Sequence, residues 1–493
     1  MPCEPDIFIV PVLDKFLIHA PLHNFATLVD REAARQIRAG LLSKEAAVSE
    51  SVRPMVAYLR SPGAPAPTAR TGPVDNPFFL GLIPTRGCNM GCPYCDFAAP
   101  KTTSAVMDLE LARQAVNVYM TLLVENGRNH AEVHFFGGEP FYAEEVIHFV
   151  VGYATMRAAE LGLTVRFEAT TNGLYNVGRC QWIADYFDTV VLSLDGPADI
   201  QNRNRPAVNG RGVFDTIARN AKILSEGSIE FIVRTCITND TIPRMPEMAR
   251  WVSRDFRPSS VCFETLTYSP LAETAGFELP DPWEFARNFD LAARILEEYG
   301  IETVISTADI RTLQATFCPV GRDALIVSSD GAIDACYLLK KDWSRNGLNM
   351  RFGRINLSGR PQPRSNGCIL SAADMPLIDL QPASKEISPW PALEIDHEAV
   401  QRVRSLNVHN RPLCTHCLSR YHCAGGCHVN HDTSAPPGRF DDLCIQTRLI
   451  TIANLLKEMN QPDLVDEWFA DRPALEASVW QSTDRLCSQE IML

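Results

Sequence analysis

Residues 83–97 read IPTRGCNMGCPYCDF and place Cys88, Cys92 and Cys95 in the spacing CxxxCxxC. Three thiolates this close together can bind three irons of a cubane cluster, whereas four cysteines close a [4Fe–4S] cluster. The missing fourth ligand leaves one iron open to a small molecule. A zinc knot is the alternative, but structural zinc sites usually close with four ligands, and no fourth Cys or His follows nearby. The spacing therefore favours an iron–sulfur cluster with an open position.

The composition of the 493-residue chain is that of a soluble globular protein, with 46% hydrophobic and 21% charged residues. Its length fits about two to four domains. The net charge of −13 disfavours nucleic acid or an anionic membrane as the main partner. No apolar run reaches bilayer length, and the first residues lack the basic region of a signal peptide. The cysteine spacing indicates metal rather than disulfides, which predicts a reducing cytoplasm.

Strand-like and helix-like segments alternate from residue 78 to residue 268. The strand-like segments are residues 78–83, 132–136, 164–173, 189–196, 229–237 and 261–268. Repeated β/α units predict a parallel sheet with helices outside it. Chemistry in such barrels sits at the carboxyl ends of the strands. The polar or glycine residues at these ends are Gly137, Gly138, Glu139, Pro140, Thr171, Asn172, Ser193 and Asp195.

The cysteine stretch, followed one β/α unit later by Gly-Gly-Glu-Pro, resembles the signature of the radical S-adenosylmethionine (SAM) enzymes. The resemblance implies a partial (β/α)6 barrel, and catalytic roles for Cys88, Cys92 and Cys95. The open iron would chelate SAM, and an electron would cleave it to a 5′-deoxyadenosyl radical that abstracts hydrogen from substrate. By the same resemblance, the strand-end residues listed above contact SAM or line the substrate pocket. Arg203, Arg205 and Arg234 are candidates for gripping carboxylates, with structural arginines as the alternative.

Seven cysteines in the C-terminal half form a second pattern. Their order resembles the SPASM domain of peptide- and protein-modifying radical SAM enzymes. The resemblance implies one auxiliary [4Fe–4S] cluster on Cys414, Cys417, Cys423 and Cys444, and another on Cys318, Cys336 and Cys427. Three [4Fe–4S] clusters are therefore expected in all. Zinc on the CxxC pairs is the alternative, with His416, His422 and His428 as candidate ligands.

Two positions depart from the pattern of the sulfatase-maturating branch of this family. Thr312 stands where a further cysteine is expected, so the cluster of Cys318 would have an open iron or a ligand such as Cys368 or Cys262. Tyr337 stands where the branch has an aspartate base, which argues against formylglycine formation. Tyr337 is a candidate for proton or electron exchange, and a packed tyrosine is the alternative.

The predicted division of the chain has five parts. Residues 1–60 form a small α+β module with three strands at 8–13, 15–20 and 24–29 and helices at 31–39 and 44–59. The module is loosely similar to leader-peptide recognition elements; a plain cap is the alternative. Residues 61–77 contain five prolines and are predicted to be a linker. The barrel is expected over 78–310, the SPASM domain over 311–445 and a helical tail over 446–493. Within the SPASM domain, residues 359–393 are predicted to be a long insertion.

The predicted function is radical modification of a ribosomally made peptide or small protein, which yields a crosslink or another oxidised product. The expected partners are the precursor peptide or small protein and an electron donor such as flavodoxin or ferredoxin; neither nucleic acid nor a membrane is expected. A sulfatase maturase that oxidises Cys or Ser is the second hypothesis. A zinc-stabilised binding protein is the third.

Overall fold

The computed structural model describes residues 6–95, 105–318, 323–357, 393–431 and 440–486. It begins with a three-stranded antiparallel sheet and two helices: β1 (Phe8–Val12), β2 (Lys15–Ala20), β3 (Phe25–Val29), α1 (Arg31–Leu42) and α2 (Arg53–Leu59). The three predicted strands are confirmed, but the helix expected over 44–59 begins only at Arg53. Pro54 explains the difference, because proline is tolerated in the first turn of a helix and not in its interior.

Seven parallel strands follow: β4 (Leu80–Ile83), β5 (His130–Phe135), β6 (Thr164–Thr171), β7 (Thr189–Ser193), β8 (Glu230–Ile237), β9 (Ser260–Thr265) and β10 (Glu302–Val304). Each pairs with its sequence neighbour, in the order β10-β9-β8-β7-β6-β5-β4. The six predicted β/α units are confirmed, and β10 adds a seventh strand at one edge. The carboxyl ends of all these strands therefore meet at one rim of the sheet.

The helices of this region are α3 (Leu109–Glu125), α4 (Glu144–Leu161), α5 (Val177–Tyr186), α6 (Ala198–Asn204), α7 (Phe214–Glu226), α8 (Met245–Asp255), α9 (Pro270–Thr274) and α10 (Pro282–Glu298). Side-chain caps fix several of the starts. Asp108 accepts from the backbone N–H of Glu110, and Asp281 accepts from those of Trp283 and Glu284. Such caps satisfy backbone donors that lack a partner within the helix.

The C-terminal half extends the same sheet on its other side with β11 (Leu325–Ser328), β12 (Ala332–Asp334), β13 (Arg351–Ile355) and β14 (Leu393–Ile395). Strand β11 pairs parallel with β4, and the following pairs are antiparallel. The remaining helices are α11 (Lys340–Arg345), α12 (His397–Arg404), α13 (Arg420–Cys423), α14 (Asp442–Glu458), α15 (Pro462–Ala470) and α16 (Arg472–Trp480). Nearly all of the predicted insertion, with Cys368, lies outside the described residues.

The N-terminal sheet packs on the C-terminal half. The backbone N–H of Ile9 donates to the carbonyl of Asp484 at 3.0 Å, and that of Leu486 donates to the carbonyl of Ile7 at 2.8 Å. The hydroxyl of Tyr421 donates to Asp6 at 3.0 Å. These contacts cover the outer edge of β1. Across the described ranges no strand pairs with the outer edge of β3.

The segment predicted as a linker, residues 61–77, contains no helix or strand. It is nevertheless fastened to the rest of the molecule, because the guanidinium of Arg404 donates to the carbonyls of Gly72 at 3.1 Å and Pro73 at 2.8 Å. In the part of the chain that is described, no helix has both the length and the apolar character needed to span a bilayer.

Candidate functional site

A cavity of about 510 Å³ opens at the carboxyl ends of the parallel strands. It brings together ten residues that the sequence singled out: Cys88, Cys92, Cys95, Gly137, Gly138, Thr171, Asn172, Ser193, Arg205 and Arg234. They come from loops and strand ends that are far apart in sequence but meet at one rim, as the parallel topology requires. The described residues that line this cavity do not include Glu139, Pro140, Asp195 or Tyr337.

The cysteine loop is docked on the Gly-Gly-Glu segment at the end of β5. The backbone N–H of Gly138 donates to the carbonyl of Thr85 at 3.1 Å, and that of Glu139 donates to the carbonyl of Gly87 at 2.8 Å. A Cβ atom at Gly138 would lie 2.2 Å from the carbonyl oxygen of Gly87, which no side chain can occupy. The glycine therefore permits the close approach of the two loops.

Glu139 joins two strand ends beneath the cavity. Its buried carboxylate accepts from the Thr171 hydroxyl at 2.8 Å, from the Asn172 N–H at 2.7 Å and from the Phe141 N–H at 3.2 Å. Burial raises the pKa of Glu139 to about 7, while these donors act in the opposite direction. The Glu139 side chain therefore holds the ends of β5 and β6 together. Pro140 begins a short 3-10 helix next to it.

Asn172 links the rim to the cysteine loop. Its side-chain amide donates to the Asn89 side chain at 2.9 Å and lies 3.5 Å from the Sγ atom of Cys88. Burial, followed by the nearby Glu139, raises the pKa of the Cys88 thiol to about 12, and burial likewise raises that of Cys92 to about 12. These thiols hold their protons until a metal replaces them, because metal binding requires the thiolate.

Asp195 lies under the cavity wall and is fully buried. Its carboxylate accepts from the Arg205 Nε at 2.9 Å, from the Tyr94 hydroxyl at 2.5 Å and from the Cys236 N–H at 3.1 Å. Arg205 lines the cavity and also lies 5.6 Å from the Tyr94 ring centroid. Asp195, predicted to contact SAM or substrate, is instead placed to hold Arg205 in position.

Tyr337, predicted as a catalytic candidate, packs away from the cavity. Its ring centroid lies 4.7 Å from that of Phe136 and 6.5 Å from that of Phe79. A Cβ atom at Gly81 would lie 2.6 Å from its hydroxyl oxygen. Burial raises the pKa of Tyr337 well above its usual value. This is the packed tyrosine that the sequence left open as the alternative.

The wall facing the cysteine loop comes from the C-terminal half and was not predicted. Its residues are Leu338, Asp342, Arg345, Asn346, Val429 and Asn430. Asp342 is the one carboxylate among the described residues that line the cavity. These residues follow Cys336 and Cys427 closely in the sequence. That closeness to two predicted cluster ligands was the signal that could have identified them. Cys236 and Thr265 also line the cavity without having been singled out for it.

Four cysteines of the C-terminal half surround a second, small cavity: Cys414, Cys417, Cys423 and Cys444. This is the group that the SPASM resemblance assigns to one auxiliary cluster. Arg448 lines the same cavity and is only 1% exposed. Among the described residues, none provides a hydrogen-bond partner for its three guanidinium nitrogens. A buried cation without a partner is costly, so an anionic group in this cavity would stabilise Arg448.

Two cysteines of the other predicted auxiliary group, Cys336 and Cys427, lie near each other. Cys336 and Cys427 interact electrostatically, and burial raises the pKa of both thiols, that of Cys336 to about 12. Cys318 is exposed and directly precedes residues 319–322, which are outside the described ranges. The thiol of Cys262 donates to Glu264 at 3.3 Å.

The three candidate zinc histidines do not gather around the cysteines. His422 lies 3.2 Å from His19, and His428 lies 2.6 Å from a guanidinium nitrogen of Arg411, while His416 is exposed. Zinc holds tetrahedral ligands at about 2.0–2.3 Å, so their atoms lie within about 4 Å of one another. Among the described residues, only His431, Asp441 and Cys444 place three potential ligand atoms within 4.8 Å of each other. The predicted cysteine groups are wider than a zinc site.

The donor sets fit iron–sulfur clusters. The three-cysteine loop borders an open cavity, where one iron would remain accessible, and the four-cysteine group surrounds a cavity with an unpartnered buried cation. Cysteine thiolates are the usual ligands of such clusters. Nine of the ten predicted cysteine ligands thus lie beside at least one other member of their group.

Comparison with known sequences agrees with the fold. Residues 82–252 match the sequence model of the radical SAM superfamily. A serine-type anaerobic sulfatase-maturating enzyme from Klebsiella aerogenes is 26% identical over 189 residues, which cover 38% of this chain and 45% of that enzyme. A cysteine-type anaerobic sulfatase-maturating enzyme from Clostridium perfringens is 26% identical over 174 residues, 35% of this chain and 47% of that enzyme. The chain thus spans about half the length of these two relatives.

An uncharacterized protein from Methanocaldococcus jannaschii is 28% identical over 301 residues, 60% of this chain and 96% of that protein. Among solved structures, anSMEcpe with bound AdoMet matches with a TM-score of 0.54 and 19% identity, and the match covers 81% of this chain and 98% of that chain. The structure of anSMEcpe with bound AdoMet and Kp18Cys peptide matches with a TM-score of 0.53. These likenesses establish the radical SAM α/β fold, with a cysteine-rich C-terminal region consistent with a SPASM domain.

Proposed function

We propose that this chain is a radical SAM enzyme that modifies a side chain of a ribosomally made peptide or small protein. SAM bound at a [4Fe–4S] cluster supplies a radical that removes a hydrogen atom from an unactivated position. The proposed product is a crosslink within the peptide or another residue from which two hydrogens have been lost.

One observation carries the proposal: the large cavity has the three-cysteine loop on one wall and the C-terminal half on the other. Its volume exceeds the lower end of the range for small-molecule pockets, about 300–1,000 Å³, and it opens to the surface. A side chain entering from a peptide would lie between the two walls. The C-terminal wall, with Asn346 and Asn430, offers amide groups to a peptide backbone.

The proposed roles at the cavity follow from position. Cys88, Cys92 and Cys95 would hold the cluster, and Gly137 and Gly138, which line the cavity, would face SAM. Ser193, Arg205 and Arg234 are the polar groups nearest to a bound carboxylate, and guanidinium groups grip carboxylates bidentately. Thr171 and Asn172 hold the rim through Glu139, so their side chains act on the shape of the site.

Asp342 is the proposed proton acceptor. Loss of two hydrogens removes one hydrogen atom, one electron and one further proton from the substrate. The proton requires a base in the cavity, and Asp342 provides the carboxylate. Its Oδ2 atom lies 3.3 Å from the Leu339 backbone nitrogen, and its buried Oδ1 atom lies 3.5 Å from a guanidinium nitrogen of Arg345, which also lines the cavity. The electron is proposed to leave through the auxiliary clusters on Cys414, Cys417, Cys423 and Cys444 and on Cys318, Cys336 and Cys427.

Residues 1–60 are proposed to bind the leader of the precursor peptide. The outer edge of β3 pairs with no described strand, and an exposed edge can accept an extended peptide as an added strand.

Since β1 also pairs with residues 484–486, deletion of residues 1–60 would remove a structural contact as well. Proline at Ala26 or Thr27 is the sharper test, because one of these N–H groups points outward and proline removes it. One variant is expected to lose peptide affinity while it keeps SAM cleavage; unchanged affinity in both would contradict the proposal.

Co-expression tests the main proposal. The full chain is produced with each short peptide encoded beside its gene, and the peptides are analysed by mass spectrometry. We expect one peptide to lose two hydrogens, and the loss to be absent with the Cys88→Ala variant. If every peptide stays unmodified while the enzyme cleaves SAM, the substrate class is wrong.

Sulfatase maturation is the second candidate, favoured by the two sulfatase-maturating relatives. It predicts oxidation of a Cys or Ser in a sulfatase-derived peptide to an aldehyde, which mass spectrometry and an aldehyde-reactive probe would detect. The position of Tyr337 outside the cavity gives this function no tyrosine base, so it too would depend on Asp342.

A further inference from the structure

We infer that Arg448 is the counter-charge of the cluster proposed on Cys414, Cys417, Cys423 and Cys444, and that its N–H groups raise the reduction potential of that cluster. The inference rests on the proposed function, because it requires a cluster in the four-cysteine cavity. It assigns a redox role to a residue outside the cysteine pattern.

Helix α14 places the cation beside the thiols. Cys444 and Arg448 are four residues apart on this helix and therefore lie on the same face. Arg448 lines the cavity with the four cysteines and interacts electrostatically with the thiols of Cys414, Cys423 and Cys444. The guanidinium is thus directed at the space where the cluster would lie.

The rest of the environment provides Arg448 with no carboxylate. The described residues include no ion-pair partner for it, and its Nε and both Nη atoms lack hydrogen-bond partners. Its guanidinium carbon lies 3.3 Å from the centroid of the Phe440 ring, and Phe440 stacks on Trp480. The aromatic face fixes the plane of the guanidinium and leaves its N–H edge for another acceptor. Cluster sulfurs would be such acceptors.

Two other arginines line or border the same site and have partners of their own. Arg420 lies 3.8 Å from Asp6 and 5.1 Å from the Tyr421 ring centroid. Arg411 donates to the Gly425 carbonyl and lies 2.6 Å from His428, and its charge also acts on the thiols of the site. Arg448 is therefore the arginine whose three guanidinium nitrogens have no hydrogen-bond partner among the described residues and are left to donate to the cluster.

Reduction adds a negative charge to a cluster, and a nearby cation stabilises that charge. Hydrogen bonds to the sulfurs and the net charge around the cluster are among the factors that set its potential. A cluster with a raised reduction potential accepts an electron more readily. This property suits the cluster for withdrawing an electron released from the substrate rather than for reducing SAM.

The test is an EPR-monitored redox titration of the anaerobically reconstituted full chain. Every protein compared also has the substitutions Cys88→Ala, Cys92→Ala and Cys95→Ala, so that only auxiliary clusters remain. With Arg448→Gln we expect unchanged iron and sulfide, and one signal whose reduced-to-oxidised ratio at a fixed ambient potential falls at least tenfold. For a one-electron couple, that fall corresponds to about 59 mV. Arg448→Lys, which keeps the charge, should shift less. Arg420→Gln is the matched control and should also shift less, because Asp6 already neutralises that arginine.

Unchanged potential in Arg448→Gln with full iron would overturn the inference and leave the proposed function standing. If Arg448→Gln fails to bind this cluster, Arg448→Lys should restore it; loss of iron from both variants would contradict a role in charge. If replacing Cys414, Cys417, Cys423 and Cys444 by Ala removes no iron, the four-cysteine cluster itself, and with it the proposed function, is wrong.

Discussion

The two cysteine sites differ in what surrounds them. The three-cysteine loop lies at the rim of the parallel sheet, beside an open cavity whose walls carry arginine, serine, threonine and asparagine side chains. The four-cysteine group surrounds a small, closed cavity whose lining residues are mostly buried and include Arg448 of α14, whose guanidinium lies on the Phe440 ring. An open site can admit a cofactor and a substrate, whereas a closed one can only exchange electrons. The proposed function therefore assigns the chemistry to the open site and the electron path to the closed one.

The substitution with the largest expected effect on one site alone is Asp342→Asn. Loss of a general base typically costs about 10²–10⁴-fold in rate. We expect peptide modification to fall by about that factor while SAM cleavage continues, because the radical still forms and only the later proton transfer is blocked. The measurement is the ratio of modified peptide to 5′-deoxyadenosine.

Asp330→Asn makes the same chemical change outside the cavity, where Asp330 accepts from the Ala332 N–H at 3.1 Å. It should leave the ratio unchanged. An Asp342→Asn variant with a normal ratio would remove Asp342 from the mechanism and leave the open cavity without a carboxylate base among its described residues.

The next effect concerns the wall of the open site. Asp195→Asn would leave the guanidinium of Arg205 without its buried carboxylate, and breaking one side of such a pair costs about 3–5 kcal/mol. We expect a loss of that order in the free energy of unfolding, together with weaker SAM binding, as Arg205 moves. Glu247→Gln is the matched control, because its ion pair with Arg244 is at the surface and is worth about 0–1 kcal/mol. Equal losses from the two variants would contradict the positioning role of Asp195.

The smallest expected effect concerns the contact between the N-terminal sheet and the segment that carries Cys423, where His19 of β2 stacks on His422. Burial, followed by the charge of His422, lowers the pKa of His19 from its usual 6.5 to about 3. The unfolded chain therefore binds a proton that the folded chain does not between these values, so stability falls as the pH falls from about 6.5 towards 3. One such group contributes a slope of about 1.4 kcal/mol per pH unit.

His19→Gln should flatten this part of the pH dependence, as measured by chemical unfolding of the metal-free chain at several pH values. His23→Gln, which alters a neighbouring buried histidine in the short 3-10 helix between β2 and β3, should retain the slope. If His19→Gln kept the wild-type slope, groups other than His19 would be responsible for this part of the pH dependence of stability.

The contents of the open site were predictable because of topology. Once the β/α alternation from residue 78 to residue 268 predicted a parallel sheet, the strand-end residues had to meet near the cysteine loop, and most of them do. The seventh strand, β10, was missed because three residues, Glu302–Val304, carry too little pattern. The start of α2 was missed because the effect of Pro54 on a helical pattern was not weighed.

The contents of the closed site were less predictable, because they depend on contacts between distant parts of the chain. The order of the cysteines identified the four that surround the cavity. Nothing in the local sequence indicated that Arg448 would lack a carboxylate, or that His19 and residues 484–486 would bring the N-terminal sheet to this side. Tyr337 and Asp195 show the same limit: the sequence places a polar residue near a strand end, and only packing decides whether its side chain reaches the cavity.

The separation of chemistry from electron transfer is tested most directly by the product ratio of the variant in which Cys414, Cys417, Cys423 and Cys444 are all alanine. With the peptide substrate identified by co-expression, 5′-deoxyadenosine and modified peptide are measured in the same reaction, and Cys88→Ala serves as the variant that should form neither. The prediction is that the four-cysteine variant still forms 5′-deoxyadenosine but no modified peptide. Modified peptide formed at the wild-type ratio, by a variant shown to lack iron in the closed site, would contradict it.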